Sequence, residues 1–283
     1  MLTINIINGL VYGALLAIVA SGLALIYGLR RVVNFAHGSL YMLGAYLGYT
    51  LSVHTNFWIA LAAASAIMFV LGALLDRYGL RLLQHYDPLS IILVTFGLLL
   101  IIEDVVQTVW GKSNLALAEP AQLSHSISIL GMTLPAYRIA VVLVGIAVAV
   151  SLSLWLRKTR MGLFVRAAST DPATTAMQGV NTDRLSAIVV GLGTALAGFA
   201  GVITAPFLSL SPSMGGDVLI DSFMVVVIGG LGSLPGAFLA ALVLGQVQTL
   251  GAVYLPDISA SLPFLLMIAI LIWRPAGIAG NRT

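Results

Sequence analysis

Residues 6–29 read Ile6-Ile7-Asn8-Gly9-Leu10-Val11-Tyr12-Gly13-Ala14-Leu15-Leu16-Ala17-Ile18-Val19-Ala20-Ser21-Gly22-Leu23-Ala24-Leu25-Ile26-Tyr27-Gly28-Leu29, with no charged side chain among them. Each helical residue adds about 1.5 Å along the axis. About 20 mostly apolar residues cross a hydrocarbon core of about 30 Å, so this stretch is long enough to span a bilayer. Comparable runs recur near 36–53, 57–75, 89–110, 137–156, 187–208 and 258–273. A Gly-rich apolar region, 218–251, holds either two short helices or one helix and a re-entrant segment.

Composition carries the same message. Of 283 residues, 60% are hydrophobic and 8% charged, whereas soluble domains carry roughly 25% charged residues. There is too little charge to keep a surface wet, so lipid is the solvent for much of it. No polar stretch is long enough for a separate soluble domain. The expectation is an all-α, polytopic membrane helix bundle in one domain, 1–283. It has eight or nine transmembrane helices with Gly-rich broken or re-entrant segments. Strands are improbable, because an open strand edge in lipid leaves backbone polar groups unsatisfied. The first residues, Met1 to Asn5, carry no positive charge, so the first apolar run is expected to remain as a helix.

Orientation follows from Lys and Arg in short loops. With an external N-terminus and nine crossings, Arg30, Arg31, Arg77, Arg81, Arg157, Lys158, Arg160, Arg166, Arg184, Arg274 and Arg282 all face the cytoplasm. Lys112 and Arg138 face outward, a ratio of 11 to 2 among the 13 basic residues. The net charge of +3 is thereby read as membrane orientation, not as affinity for nucleic acid. Two stripes of small residues, Gly9-Gly13-Ala17-Ser21 and Gly193-Ala197-Gly201-Ala205, let backbones approach closely. They suit internal helix packing or a subunit interface.

The polar connection 157–186 has helical grammar. Thr170 or Asp171 caps a helix, and Pro172 stands in its first turn, where a missing N–H costs nothing. Ala173, Ala176 and Gln178 continue it, and Gly179 ends it in a left-handed conformation. A helix of about two turns is marginal in water and needs a partner surface. That partner is either lipid headgroups, through Arg157, Arg160, Arg166 and Arg184, or a cytoplasmic protein.

Catalytic chemistry is sparse. With no cysteine, disulfides and thiol catalysis are excluded. His37, His54, His85 and His125 form no metal-binding pair. Gly111-Lys112-Ser113 resembles the end of a phosphate-binding loop, but Val106 stands where that motif needs its first glycine. Glu103 and Asp104 interrupt an apolar run, where a charge costs a few kcal/mol. They suit a proton or cation path, or an interfacial helix contact. Asp217 and Asp221 mark an external mouth. Two further interruptions, Asn34-Phe35-Ala36-His37-Gly38 and Gly229-Gly230-Leu231-Gly232-Ser233-Leu234-Pro235-Gly236, are candidate broken helices. Such breaks are tolerated only against protein or a water-filled cavity, and in transporters they often lie near the pathway.

At these residues the chain resembles the permease subunits of ABC importers for branched-chain amino acids, in particular the H-type subunit. The resemblance rests on four blocks. These are Asn8-Gly9 through Asn34-Phe35-Ala36-His37-Gly38 to Tyr46; Arg160-Met161-Gly162 with Arg166-Ala167 to Gly179-Val180-Asn181-Thr182-Asp183-Arg184; Gly229 to Ala237; and Arg274-Pro275-Ala276-Gly277. The resemblance implies a bacterial inner-membrane permease paired with a second, related permease. Two ATP-binding cassette ATPase subunits, which hold ATP and Mg, dock beneath, and a periplasmic binding protein delivers the solute. No cofactor belongs to this chain. The resemblance also implies that the helix Pro172–Gln178 is the ATPase-coupling helix. Glu103-Asp104 departs from the amide or other polar residues common in that family, whose solutes range from leucine-like amino acids to urea, amides and aromatic acids. The alternative is a stand-alone proton- or ion-coupled transporter or channel working through Glu103 and Asp104.

Overall fold

The structure is a computed structural model and describes residues 2–83, 86–129 and 132–280. His85 and Arg282, used in the readings above, lie outside the described residues. The helices are α1 (Leu2–Arg30), α2 (Ala36–His54), α3 (Phe57–Leu75), α4 (Arg81–Leu83), α5 (Pro88–Trp110), α6 (Ala136–Lys158), α7 (Arg160–Thr170), α8 (Pro172–Met177), α9 (Thr182–Thr204), α10 (Met214–Gly229), α11 (Leu234–Tyr254) and α12 (Leu262–Trp273). A π-helical turn, Asp76–Leu80, joins α3 to α4.

Among the described residues, six helices are long and apolar enough to cross a membrane: α1, α3 with its extension to Leu83, α5, α6, α9 and α11. The chain is a multi-pass, all-α membrane protein. Burial separates centre from periphery. The apolar window of α1 is 89% buried and that of α9 67%, against 22% for α3 and α5 and 11% for α6. The centre is rich in small residues because packing, not hydrophobicity, holds helices together in lipid. A Cβ on Gly22 would lie 2.5 Å from the Gly193 carbonyl oxygen, and one on Gly13 would lie 2.9 Å from that of Ala241. Both small-residue stripes are therefore used inside the chain, with α1 meeting α9 on one side and α11 on the other.

The break after α1 reaches deep into the bundle. His37, at the start of α2, places Nε2 3.1 Å from the Val19 carbonyl oxygen, halfway along α1. From Val19 to the end of α1 at Arg30 is about 16 Å of helix axis. The non-helical residues 31–35 turn the chain back along α1, with Arg31 left-handed at φ 53° and Phe35 at φ −67°, ψ −23°. Side chains meet part of the polar demand here. The Asn34 side chain accepts from Ala36 N–H at 3.1 Å, and Thr95 of α5 accepts from Phe35 N–H at 3.2 Å. Non-helical backbone at such depth is tolerated where it lies against protein.

The region 218–251 divides into α10 and α11. The turn between them uses Gly230 at φ +100° and Gly232 at φ +81°, a conformation that favours glycine. The C-terminal segment packs against the end of α10. Ile278 N–H donates to the Ile228 carbonyl at 2.8 Å and Ala279 N–H to that of Gly229 at 3.1 Å, satisfying the last carbonyls of α10.

Two expectations need correction. A short antiparallel hairpin does form, β1 (Ser126–Ile129) with β2 (Met132–Pro135). It lies in the connection before α6, outside the apolar spans, so the lipid argument against strands does not reach it. The connection 157–186 contains two helices, not one. Thr159 caps α7 by accepting from Gly162 N–H at 3.0 Å, a local signal of the same kind as the one that marked α8.

Candidate coupling surface and translocation path

The end of the bundle that carries Arg30, Arg31, Arg81 and Arg184 also carries α7 and α8. Asp171 is the N-cap of α8, its carboxylate accepting from Thr174 N–H at 3.0 Å and from the Thr174 hydroxyl. Those bonds, the hydroxyl first, hold the Asp171 carboxyl below the ordinary carboxylate value. Pro172 fills the first turn, and Gly179 at φ +83° follows the helix end. Thr175 is the buried anchor of α8, while Pro172, Ala173, Thr174, Ala176 and Gln178 are exposed. Met177, the largest apolar side chain of α8, is 81% exposed. Arg166 turns back and donates to the Leu156 carbonyl, so it neutralises the C-terminal end of α6.

Beside α8 lies a buried charge cluster. Asp76 sits in the π turn with a side chain that is 0% exposed. It accepts from Arg30 Nη2 at 2.5 Å, from Arg30 Nε at 3.2 Å and from the Ser186 hydroxyl at 2.9 Å. Arg81 stands 3.6 Å from the same carboxylate and donates to the Asp183 carbonyl at 2.8 Å. One carboxylate thereby ties together α1, α3, α4 and the first turn of α9. Sequence reading missed it; the available signal was an acidic residue closing an apolar run, with arginines at 77 and 81.

Arg31 occupies the left-handed region at φ 53°, alone among the described non-glycine residues. It donates to the Ser169 carbonyl at 2.9 Å. Between these elements opens a cavity of about 430 Å³, lined by residues 30–34, Pro88 and Ile91 of α5, Pro172 and Ser186. The candidate pathway residues fall in separate places around this frame. Asn34 and His37 are buried at the interior break. Gly38 packs against Gly215 and Leu219 of α10. Gly229 and Gly230, both buried, and the exposed Gly232 form the α10–α11 turn at the arginine-rich end. Glu103 is half-buried and Asp104 exposed on α5, among the exposed Leu100, Ile101 and Val105. Asp221 accepts from the Tyr12 hydroxyl at 2.7 Å and from Gln248 at 2.8 Å. With the exposed Asp217 it borders a second cavity of about 340 Å³.

The family described as branched-chain amino acid transport system / permease component matches residues 5–271. The chain belongs to this family. Among members of the branched-chain permease group, it is 28% identical to the high-affinity branched-chain amino acid transport system permease protein LivH of Escherichia coli (strain K12), over 97% of this chain and 94% of that protein. It is 29% identical to the corresponding permease protein BraD of Pseudomonas aeruginosa, over 98% and 95%. A more distant permease relative is the ribose import permease protein RbsC of Escherichia coli (strain K12), 28% identical over 85% and 75%. No solved structure matches the chain. The match takes in α8, the charge cluster and the α10–α11 turn, so all three belong to the permease and not to an appended segment.

Proposed function

We propose that this chain is the transmembrane permease subunit of an ATP-driven importer of branched-chain or related amino acids. It works in the bacterial inner membrane, with the arginine-rich end in the cytoplasm and eight or nine crossings. Its partners are a second, related permease, two ATPase subunits that hold ATP and Mg, and a periplasmic binding protein that delivers the solute. The permease-family match supports the transport role. The observation that carries the coupling reading is α8, a capped two-turn helix held by one buried residue, with the apolar Met177 presented outward. A helix this short is marginal without a partner surface, and the arginine-rich end is the side on which a cytoplasmic ATPase would meet it.

In this reading Arg166, Asp171, Pro172, Ala173, Ala176, Gln178 and Gly179 shape or present the ATPase-facing element. ATP binding closes the ATPase dimer, α8 moves, and the two permeases rock to open the path first outward and then inward. The cavity beside residues 30–34 is the inward vestibule, flanked by the break at Asn34, His37 and Gly38. The carboxylates on α5 face the partner permease or the shared path. The exposure of Asp104 within an apolar span supports this, since a lipid-facing charge is costly. Gly229, Gly230 and Gly232 let α10 and α11 turn tightly at the cytoplasmic mouth. The test is co-purification of the tagged chain with its ATPase subunits, before and after reversing the charge at Asp171 and breaking the helix at Ala176. Complexes that assemble and transport normally with both changes would remove the coupling claim.

A further inference from the structure

Among the described residues, α6 is the least buried of the six membrane-spanning helices. Its middle packs on α1, where a Cβ on Gly145 would lie 2.8 Å from the Ala14 Cβ. Toward its C-terminal end a groove of about 480 Å³ opens between α6 and α11, with the buried Ser21 of α1 in its lining. The rim is apolar and exposed, with Ile146, Val150 and Leu154 on α6 and Leu239 on α11. Among the described lining residues only Arg157 is charged, and it stands at the arginine-rich end. From Ile146 to Arg157 the groove follows about 16 Å of helix axis. Ser21 lies about 14 Å along α1 from Arg30. Half of a hydrocarbon core of about 30 Å is about 15 Å. The groove is therefore one leaflet deep, with its cation at the headgroup level.

The charge at this mouth has no counter-charge in the chain. Arg157 and Lys158 end α6, and Arg160 begins α7. No carboxylate occurs on α1, α6, α7 or α11. Among the described residues the ion pairs involve Arg30 and Arg81 instead. Apolar walls alone do not select an occupant inside a membrane, because lipid tails are as apolar as the side chains. The headgroup must make the choice. Arginine offers paired N–H donors to a phosphate, and a basic cluster at the cytoplasmic surface attracts anionic lipid. We propose that the groove between α6 and α11 binds one anionic phospholipid of the cytoplasmic leaflet. An acyl chain lies along α6 to the level of Ser21, and the phosphate sits on Arg157, with Lys158 and Arg160 adding to the positive field. The lipid fills the space between α6 and α11 and braces the end of α6, from which Thr159 and α7 lead on to α8. This site depends on the cytoplasmic placement of the arginine-rich end and not on which solute the chain carries.

The test uses the full chain, with whatever subunits co-purify, reconstituted in liposomes. The liposomes contain phosphatidylglycerol with a photoreactive diazirine on one acyl chain or, separately, phosphatidylcholine with the same chain. After irradiation, lipid adducts are mapped on the peptides of this chain by mass spectrometry. The expected result is adducts on the groove segments of α6 and α11, about fivefold or more stronger from phosphatidylglycerol, the preference that one surface cation gives. Arg157→Gln should remove that preference, and Lys112→Gln, at the opposite end of the bundle, should leave it intact. Ala149→Trp, which fills the groove, should remove groove adducts from both lipids. If that variant does not fold, Arg157→Gln decides alone. Equal labelling by the two lipids in the wild type, a preference that persists in Arg157→Gln, or no groove adducts at all overturns the site. So does a photoreactive residue in place of Val150 that crosslinks to a second permease instead of to lipid.

Discussion

The guanidinium of Arg30 approaches the carboxylate of Asp76 to 2.5 Å across 46 positions of sequence, and the Asp76 side chain is fully buried. Removing one partner of such a pair strands a buried charge and costs about 3–5 kcal/mol. Arg30→Met is therefore expected to lower the melting temperature of the purified complex by several degrees. Ser186→Ala removes one hydrogen bond to the same carboxylate and costs about 1.5–3 kcal/mol at most. Thermal unfolding followed by intrinsic fluorescence checks the order, Arg30→Met below Ser186→Ala below wild type. Equal melting points would mean that the cluster is not closed in the assembled protein.

Asp171 gives a ranked series. Asparagine caps a helix about as well as aspartate, and alanine does not. Asp171→Asn should retain most coupled uptake, and Asp171→Ala should lose more of it. The Thr174 hydroxyl and N–H hold the Asp171 carboxyl below its ordinary value of 3.8. The charged cap is therefore stabilising at neutral pH and is lost only as pH falls through that lowered value. Uptake coupled through α8 should show no titration from Asp171 between neutrality and the ordinary carboxylate value. A coupling step near pH 6 that disappears in Asp171→Asn would contradict the capped geometry.

Met177 projects from α8 with 81% of its surface exposed. Met177→Asp places a charge where an apolar contact is proposed. It should reduce co-purification of the ATPase subunits about tenfold or more, within the range of interface hot spots, while leaving the melting point of the isolated chain within about 1–2 °C, since surface changes usually shift stability by less than about 0.5 kcal/mol. Quantitative pull-down and thermal unfolding of the same preparation separate the two effects.

Glycine positions differ sharply in what they tolerate. A side chain on Gly22 meets the backbone of Gly193, while one on Gly97 of α5 meets nothing within 4 Å. Gly22→Val is expected to destabilise by about 1–3 kcal/mol or more through overpacking, and Gly97→Ala to be neutral. The measurement is the yield and melting point of monodisperse protein for each variant.

The chain has no cysteine, so a single introduced thiol is a clean probe. Asp104→Cys should react with a water-soluble maleimide in the isolated chain or during turnover if α5 borders a partner-lined aqueous path. A thiol at the exposed Val94 of the same helix, where the account expects lipid, should not. Equal silence at both positions would remove Asp104 from the path.

What the sequence revealed depended on range. The cap Asp171, the proline after it and the stop at Gly179 are all local, so α8 could be read to within a residue of Met177. Thr159 and Gly162 were equally local, yet α7 went unread because its arginines were taken as signals of membrane orientation and headgroup contact rather than as parts of a helix. The charge cluster joins residues 46 and 110 positions apart, a separation that no pattern of local propensity encodes. The depth of the break at Asn34 was likewise hidden. Its residues announced an interruption, but only the contact from His37 to Val19 shows that the chain re-enters the bundle. The Gly-rich stretch 218–251 left two readings open, and the positive φ at Gly230 and Gly232 is what divides it into α10 and α11.

The central claim is that ATP hydrolysed by partner subunits, passed through α8, drives solute through this chain. The most direct measurement is uptake of leucine, isoleucine and valine into liposomes. The complex with the second permease and ATPases is compared with the chain alone, with either ATP or a pH gradient as the driving force. The account predicts uptake only by the complex, dependent on ATP and on the solute-loaded binding protein, and lost in Asp171→Arg. Uptake by the chain alone, driven by the pH gradient and abolished by Glu103→Gln with Asp104→Asn, would contradict it.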